Sequence, residues 1–590
     1  MKTTSSHGHL FMIQLFSRLA LTLLAMAVSG TLWSQALYLN GHKAMRDCRG
    51  NMWMCSVPRD VFGSDWTASV EFDSIWTDVT INGLPVLNGT PVTLENIQGG
   101  KSYPITAHVA DSTMSGNLTF TWLPVMELEG TFGNEYTEAL VGINMPDSCG
   151  ADGLRAKVKW RGNVTNHDKK HKRNYHIKFL DEDGNKTDRR LFGLRKDNHW
   201  KLDAGQPDRL RVRNRVCADL WLDMSRPVWY QPEEPTAING SRGQLVEVML
   251  NGQYQGIYNV MEPVDRKQLK LVKHDTINNT FHGQLWYNRV WCRTGTMSKP
   301  IAWSNDSRTW DGFEVEYPDF DEVSPTDWST LADAIFFTNR TELADQWPQL
   351  ADSLDDYFDM PMMEDYFIFI VTVQALDNES KNVYYGVHDK TIDTRLTMTP
   401  WDLDVSLGAQ SFSFLTPEIV SPERPLDWIS HLPMVVMFNL SPRHRNEVLN
   451  RYWQLRQTWL HTDSLVARVE HAINELEQCG AAGREELRWS GDSDIGGAVL
   501  DLSAEMEYVT DWIRRRMAYL DQYLFVMPTS SLGDVNADGE ITVADINAMI
   551  DVVLDGTEDN ALASRCDINA DNEINIADIN ALIELILQKN

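Results

Sequence analysis

The sequence predicts a multidomain chain: an all-β sandwich near the N-terminus, a central α+β domain of two lobes, and a small helical module at the C-terminus. Three observations predict it. The 590 residues exceed what one hydrophobic core can hold, since cores stop growing near about 250–300 residues. Short β-branched runs between turn signals dominate the first part of the chain, and helical periodicity takes over after about Asp327. A twelve-residue acidic pattern then occurs twice near the C-terminus, 33 residues apart.

Residues 1–36 read as a secretory signal peptide. Lys2 and Arg18 supply positive charge, an apolar run extends from Leu19 to about Val28, and Ser34-Gln35-Ala36 offers a cleavage point. The run is too short to span a bilayer, which takes about 20 apolar residues. No later stretch is long enough, so no transmembrane segment is expected and the protein is expected to be secreted. No Cys follows the run, which argues against a lipid anchor. Of seven cysteines, Cys48 and Cys55 alone lie close enough in sequence to suggest a disulfide, and no CxxC or Cys/His cluster suggests zinc.

The net charge of −30 argues against nucleic acid or an anionic membrane as the general partner. One stretch departs from it. Between Arg155 and Arg215 there are 19 Lys/Arg against 8 Asp/Glu, which is either a solvated face or a site for a polyanion such as a nucleotide.

Residues 37–126 carry the β pattern. Ala68-Ser-Val-Glu-Phe, Asp78-Val-Thr-Ile, Pro91-Val-Thr-Leu and Leu118-Thr-Phe-Thr-Trp alternate or are β-branched, and Asn82-Gly83, Asn88-Gly89 and Gly99-Gly100 punctuate them. A small antiparallel sandwich serving as a spacer is expected. Residues 127–526 form the central domain, with strands first and helices later. Tyr175-His-Ile-Lys-Phe reads as a strand with an inward Lys178. Leu245–Leu250, Asn251-Gly252 and Gly256–Met261 read as a hairpin. Met362–Leu376, Arg443–Leu476 and Leu502–Leu524 read as helical.

Residues 532–590 hold the repeat. Asp534, Asn536, Asp538, Thr542 and Asp545 stand at positions 1, 3, 5, 9 and 12 of the first loop, with Glu540 at position 7. Asp567, Asn569, Asp571, Asn575 and Asp578, with Glu573, repeat the pattern. A hard cation taking six to eight oxygens needs this spacing, because a wrapping loop turns alternate residues inward. Two Ca²⁺ ions are therefore expected. Gly539 makes the sharp turn at position 6 and Asn572 substitutes for it in the second loop. A helix is expected after each loop, from Ile546, Met549, Ile550 and Val553 and from Ile579, Leu582, Ile583 and Ile586. No helix is expected to run directly into either loop.

This arrangement resembles the type I dockerin, from Leu532 to the C-terminus. The resemblance implies docking onto a cohesin. It places Val543-Ala544 and Ile576-Ala577 at the partner-facing helix starts, where the family commonly has Ser/Thr.

In the central domain, Asp377-Asn-Glu-Ser-Lys-Asn382 is followed by Trp401-Asp402-Leu403-Asp404. An Asp, an Asn five residues on, and an Asp about 25 residues on is the order used in phosphoryl transfer. The first Asp orients or deprotonates the acceptor hydroxyl, and the Asn and later Asp hold the metal. These residues, with Trp160-Arg161-Gly162-Asn163, Tyr175–Lys178, Phe192-Gly-Leu-Arg-Lys-Asp-Asn198 with Trp200, Arg213-Asn214-Arg215, Leu250–Glu262, Asp265 and Asp404, resemble the CotH family over roughly Trp160–Gly408. CotH proteins are spore-coat kinases with an atypical protein-kinase-like fold. The resemblance implies ATP-dependent phosphorylation of Ser/Thr on an unidentified acceptor protein, with Mg²⁺ or Mn²⁺. It assigns Lys178 to the phosphates, Arg161, Gly162 and Asn163 to the phosphate-covering loop, and Asp377 to catalysis. Asn382 with Asp402 would hold the metal, with Asp404 as the alternative ligand. The helix region Leu210–Met224 has no Glu to pair with Lys178, only Asp219 and Asp223.

Three function classes follow: a dockerin-borne extracellular kinase, a non-catalytic adhesion or scaffold protein using the same fold, and a carbohydrate-active enzyme, for which no motif selects a carboxylate pair.

Overall fold

The computed structural model describes residues 36–589 except 50, 163–165, 167–169, 340–350, 352, 411–413, 527–531, 539, 558, 570 and 572. The signal-peptide reading, Asn163 and the loop residues Gly539 and Asn572 lie outside the described residues. The chain divides into two compact units. The first comprises the segment ending at Gln206 with Gly243–Glu262 and Ala472–Leu502; the second comprises Pro207–Arg242, Pro263–His471 and the chain from Ser503 onward.

The first unit opens with strands where alternation and Asn-Gly turns place them. Trp66–Phe72, Trp76–Ile81 and Thr90–Leu94 contain three of the runs read from the sequence, and Ser112–Thr121 contains the fourth except its final Trp122. Asn82 and Gly83 have φ of 52° and 76°, a two-residue turn whose left-handed pair matches the twist of the strands it joins. The expected pair of separate sheets is instead one continuous nine-stranded sheet. Leu37–Leu39 and His42–Asp47 connect its halves. Val70 and Leu94 of one half share a single core with Ile81, Ile105 and Phe120 of the other, so the sheet folds over itself to bury both inner faces. The expected disulfide is absent. Cys48 is exposed and Cys55 buried, because the register pairs Ala44 with Cys55 and Asp47 with Met52, and so carries the two thiols to opposite ends of the hairpin.

The remainder of this unit is a closed barrel of seven strands: Val125–Gly130, Thr137–Met145, Ser148–Arg161, Asn174–Phe179, His199–Asp203, Tyr254–Met261 and Gly243–Leu250. Closure removes the sheet edges. Met126, Val141, Val158, Ile177, Trp200 and Val260 fill it. Asn251 and Gly252, both at positive φ, make the predicted hairpin. The late helix Ala481–Trp489 packs on the Tyr254–Met261 strand. Glu485, fully buried, accepts hydrogen bonds from Lys172 Nζ and the Ile257 amide, both at 2.8 Å, and Glu247 pairs with Arg484 at 2.8 Å.

The second unit has a five-stranded antiparallel sheet in the order Thr309–Trp310, Phe313–Tyr317, Gln284–Asn288, Val383–Val387, Thr397–Pro400. Helix Met360–Val373 is buried at every position but Pro361, as its nearly unbroken apolar sequence requires. The long helical stretch after Arg443 is two helices, Pro442–Arg456 and Thr462–Gln478. Near the C-terminus, Val543–Asp555 and Ile576–Lys589 pack together around Val535, Met549, Cys566 and Leu582. A third helix, Asn560–Cys566, runs directly into the second acidic loop, contrary to expectation. Its seven residues, about two turns, are too few to show a periodic signal, and Cys566 at its end is buried in this small core.

Candidate functional site

Asp377, in the short 3-10 turn Leu376–Asn378, and Asn382, the last residue before the strand, lie in the connection between helix Met360–Val373 and strand Val383–Val387. The strand pairs with Thr397–Pro400 in a register that sets Val383 opposite Pro400. Asn382 therefore lies beside Trp401, whose amide donates to the Asn382 carbonyl at 2.9 Å, and Asp402 follows. Twenty residues of separation thus collapse to one hairpin width. Asn382 and Asp402 both adopt left-handed backbone, with φ of 55° and 60°. Such conformations in non-glycine residues cost free energy and concentrate where function holds them.

Further contacts tie this loop down. Asn378 is fully buried and donates through Nδ2 to the carbonyls of Trp401 (2.7 Å) and Asn382 (3.2 Å). Tyr366 donates to the Asn378 carbonyl at 2.6 Å. The Glu379 carboxylate accepts from the amides of Ser430 and His431 and from the Ser430 hydroxyl. Burial raises its pKa against those hydrogen bonds. Tyr287 donates to Asn382 Oδ1 at 2.9 Å, and Leu403 donates its amide to Asn214 Oδ1 at 3.1 Å. Asp377 is partly exposed and pairs with Lys381 Nζ at 2.5 Å, one helical turn along. Asp402 and Asp404 are likewise partly exposed. An amide oxygen and carboxylates are the donor set that a Mg²⁺ ion carrying nucleotide phosphates takes, so the residues present fit that ion.

Asn378, Glu379 and Tyr287 were not anticipated as functional. The first two sit inside the Asp377–Asn382 run and could have been suspected from their place there. Tyr287 carried no sequence signal, because only strand pairing brings it alongside. Within the second unit, Asp219 of helix Arg213–Met224 pairs with Arg215 at 2.5 Å and Asp223 with Arg468 at 2.6 Å.

In the first unit, Lys178 does not point inward. Tyr175, Ile177 and Phe179 of its strand fill the barrel, and period-two alternation turns His176 and Lys178 to the outer face. There Lys178 Nζ and Lys159 Nζ lie 4.5 and 4.7 Å from the Tyr136 ring centroid. Lys157 is directly across from Lys178 on the next strand, and His199 on the other side. Burial, with Lys201, Lys178, Arg195 and Arg161 nearby, pushes His199 down to about 3; burial, with Lys201 and Arg161, holds His176 neutral as well. Lys157, Lys159, Arg161, Lys178 and Lys201 thus share one barrel face, whereas Arg209, Arg211, Arg213 and Arg215 of the basic stretch belong to the second unit. Arg161 ends its strand and Gly162 follows at φ 99°.

The C-terminal loops are near copies. Asp545 accepts from the amides of Asn536 (3.0 Å) and Thr542 (2.8 Å), while Asp578 accepts from Ile568, Asn569 and Asn575. Asp534, Asp545 and Asp578 are buried. Asn536 donates through Nδ2 to Asp538 at 2.8 Å, and Asn569 does the same to Asp571 at 2.9 Å. The Glu540 and Glu573 amides donate to Asp538 and Asp571, both at 2.8 Å. Thr542 and Asp545 also form a reciprocal cap on helix Val543–Asp555. Side-chain oxygens alone, repeated in both loops, are a donor set for Ca²⁺. Val543 and Ile576 are 64% and 67% exposed, with Ala544 and Ala577 exposed beside them. Among the described residues, the groups whose ligand atoms already lie within 4.8 Å of one another are elsewhere: His171 with Asp492 and Asp494, and Glu364 with His444 and Glu447.

Two family models match the chain. One, described as CotH kinase protein, covers residues 158–520, and one described as Dockerin type I domain covers residues 532–587. No curated protein matches it. No helix among the described residues is long and apolar enough to cross a membrane.

Proposed function

The chain belongs to the CotH kinase protein family and ends in a type I dockerin domain, and from that premise we propose that it is a secreted, ATP-dependent protein kinase tethered through a cohesin. The observation that carries the reading is the hairpin that brings Asn382 beside Trp401–Asp402, with Asn378 joining both to the Asp377 loop. A phosphoryl-transfer centre needs fixed positions more than covalent chemistry, because stabilising a loose transition state is mostly a matter of placing charge.

Mg²⁺ or Mn²⁺ with ATP supplies the phosphoryl group and neutralises its charge. Asn382 and Asp402 would hold the metal, with Asp404 as the alternative to Asp402. Asp377 accepts the proton of the acceptor hydroxyl and orients it. Lys381 holds the Asp377 carboxylate in place. Lys178, with Arg161, Gly162 and Asn163 close by in sequence, meets phosphate oxygens, and the basic barrel face attracts the polyanion before contact. The dockerin supplies location, since a dockerin is a cohesin-binding module that takes calcium.

The test is ATP-analogue binding with and without Mg²⁺, alongside autophosphorylation with labelled ATP. Asp377→Ala should remove turnover and leave nucleotide binding nearly unchanged. Asp402→Ala should weaken metal-dependent nucleotide binding, and Lys178→Ala should raise the ATP requirement and lower the rate. A folded wild-type chain that binds no nucleotide with any divalent cation would make the domain an adhesion or scaffold module instead.

A further inference from the structure

The Phe192-Gly-Leu-Arg run belongs to the family pattern, yet nothing in phosphoryl transfer uses it. In the structure its first two residues, Phe192 and Gly193, form with Asp188–Leu191 one wall of a cavity of about 490 Å³ beside the barrel. The opposite wall is the hairpin of Thr137–Met145 and Ser148–Arg161. The floor is apolar, made by Ile143, Met145, Leu154, Leu191 and Phe192. Arg189 and Arg190 stand against a single carboxylate, Asp188. None of the residues assigned to nucleotide or metal lines it.

Three properties mark this cavity as a built site. Its volume lies within the roughly 300–1,000 Å³ of small-molecule clefts. Phe192 is held at φ 51°, a left-handed conformation that a bulky side chain rarely adopts and that the surrounding structure must enforce. Arg189 Nε is buried and meets no hydrogen-bond acceptor among the described residues, while its guanidinium is 5.7 Å from the Phe179 ring centroid. Arg189 and Arg190 line the cavity with one carboxylate, Asp188, so the lining carries a net positive charge that favours an anion. Arg190 spends one donor on the Leu194 carbonyl at 3.0 Å.

We propose that this cavity binds a small amphipathic anion, an apolar or aromatic body carrying a carboxylate, sulfonate or phosphate. The apolar part lies on Leu154, Leu191 and Phe192, and the anion is met by Arg189, whose planar fork suits such groups. Binding here is independent of nucleotide and of the dockerin.

The experiment uses the full chain with Ca²⁺ and 8-anilinonaphthalene-1-sulfonate as fluorescent probe, thermal melting reporting the fold. One saturable site per chain is expected. Arg189→Met should weaken it about tenfold, the loss of one charge-assisted contact. The uncharged analogue N-phenyl-1-naphthylamine should bind with the same affinity to wild type and Arg189→Met. Ala151→Trp, which projects an indole into the cavity mouth, should abolish binding of both probes. If Arg189→Met unfolds, the Ala151→Trp result decides alone. No saturable site, or a site indifferent to Ala151→Trp, overturns the proposal, and a site that Arg189→Met leaves unchanged overturns its anionic part.

Discussion

Asn378 Nδ2 donates to the Trp401 carbonyl across 2.7 Å, joining two loops that are 23 residues apart in the chain. The residue is fully buried, so this bond and its partner to the Asn382 carbonyl hold Asp377, Asn382 and Asp402 in one frame. Asn378→Leu, close in volume but unable to donate, should cost roughly 1–3 kcal/mol of stability by removing the donor to the buried Trp401 carbonyl. If the kinase reading holds, kcat should fall far more than the melting temperature suggests. Thermal melting alongside phosphate transfer separates the two effects. A variant with normal kcat would reduce Asn378 to a structural role.

Lys381 pairs with Asp377 at 2.5 Å. Lys381→Met should lower phosphate transfer while leaving ATP-analogue binding within a few-fold of wild type, and Lys381→Arg should restore part of the rate. Equal loss of nucleotide affinity would place Lys381 among the binding groups instead.

The two acidic loops should take up two Ca²⁺ per chain. At free Ca²⁺ about 100 times the dissociation constant, each site stabilises its module by about 2.7 kcal/mol. Asp534→Ala should abolish one site and leave the other. Calorimetry on the full chain counts them directly, and an unchanged stoichiometry in the variant would remove Asp534 from the ligand set.

Val543-Ala544 and Ile576-Ala577 stand exposed at the starts of their helices. Changing both pairs to Asp should abolish cohesin binding and keep Ca²⁺ affinity nearly intact. Changing one pair should be tolerated, because the repeats are near copies. Loss of calcium together with docking would assign these residues to the fold.

His444 is fully buried between Glu364, Glu447 and Asp355, with Arg443 also facing it. Burial disfavours its charge, but hydrogen bonds to Glu364 and Glu447 outweigh that and push it up to about 9. The folded value lies above the ordinary value near 6.5, so this cluster stabilises fully below about pH 6.5 and loses that contribution as pH rises through about 9. The melting temperature of wild type should fall over this window, and His444→Gln should flatten the fall. Parallel profiles would show that other groups govern the pH dependence.

Much of this protein was legible in its sequence because the signals were local. Asn82-Gly83 and Asn251-Gly252 set two-residue turns whatever surrounds them, since few residues other than glycine and asparagine accept positive φ. The acidic loops were legible because ligand spacing is dictated by chain wrapping within twelve residues. The order Asp377, Asn382, Asp402 was visible as well. Tertiary structure alone decided the rest. The register of Val383 with Pro400 makes Asn382 and Asp402 neighbours, and no local preference sets a register between strands separated by a loop. The outward turn of Lys178 followed from which neighbours filled the barrel, since alternation gives two faces without saying which is the core. Helix Asn560–Cys566 ends with Cys566 buried in one core with Met549 and Leu582, contacts that a seven-residue stretch cannot announce. Local backbone preferences are written in the sequence residue by residue, whereas burial and register exist only once distant segments have met.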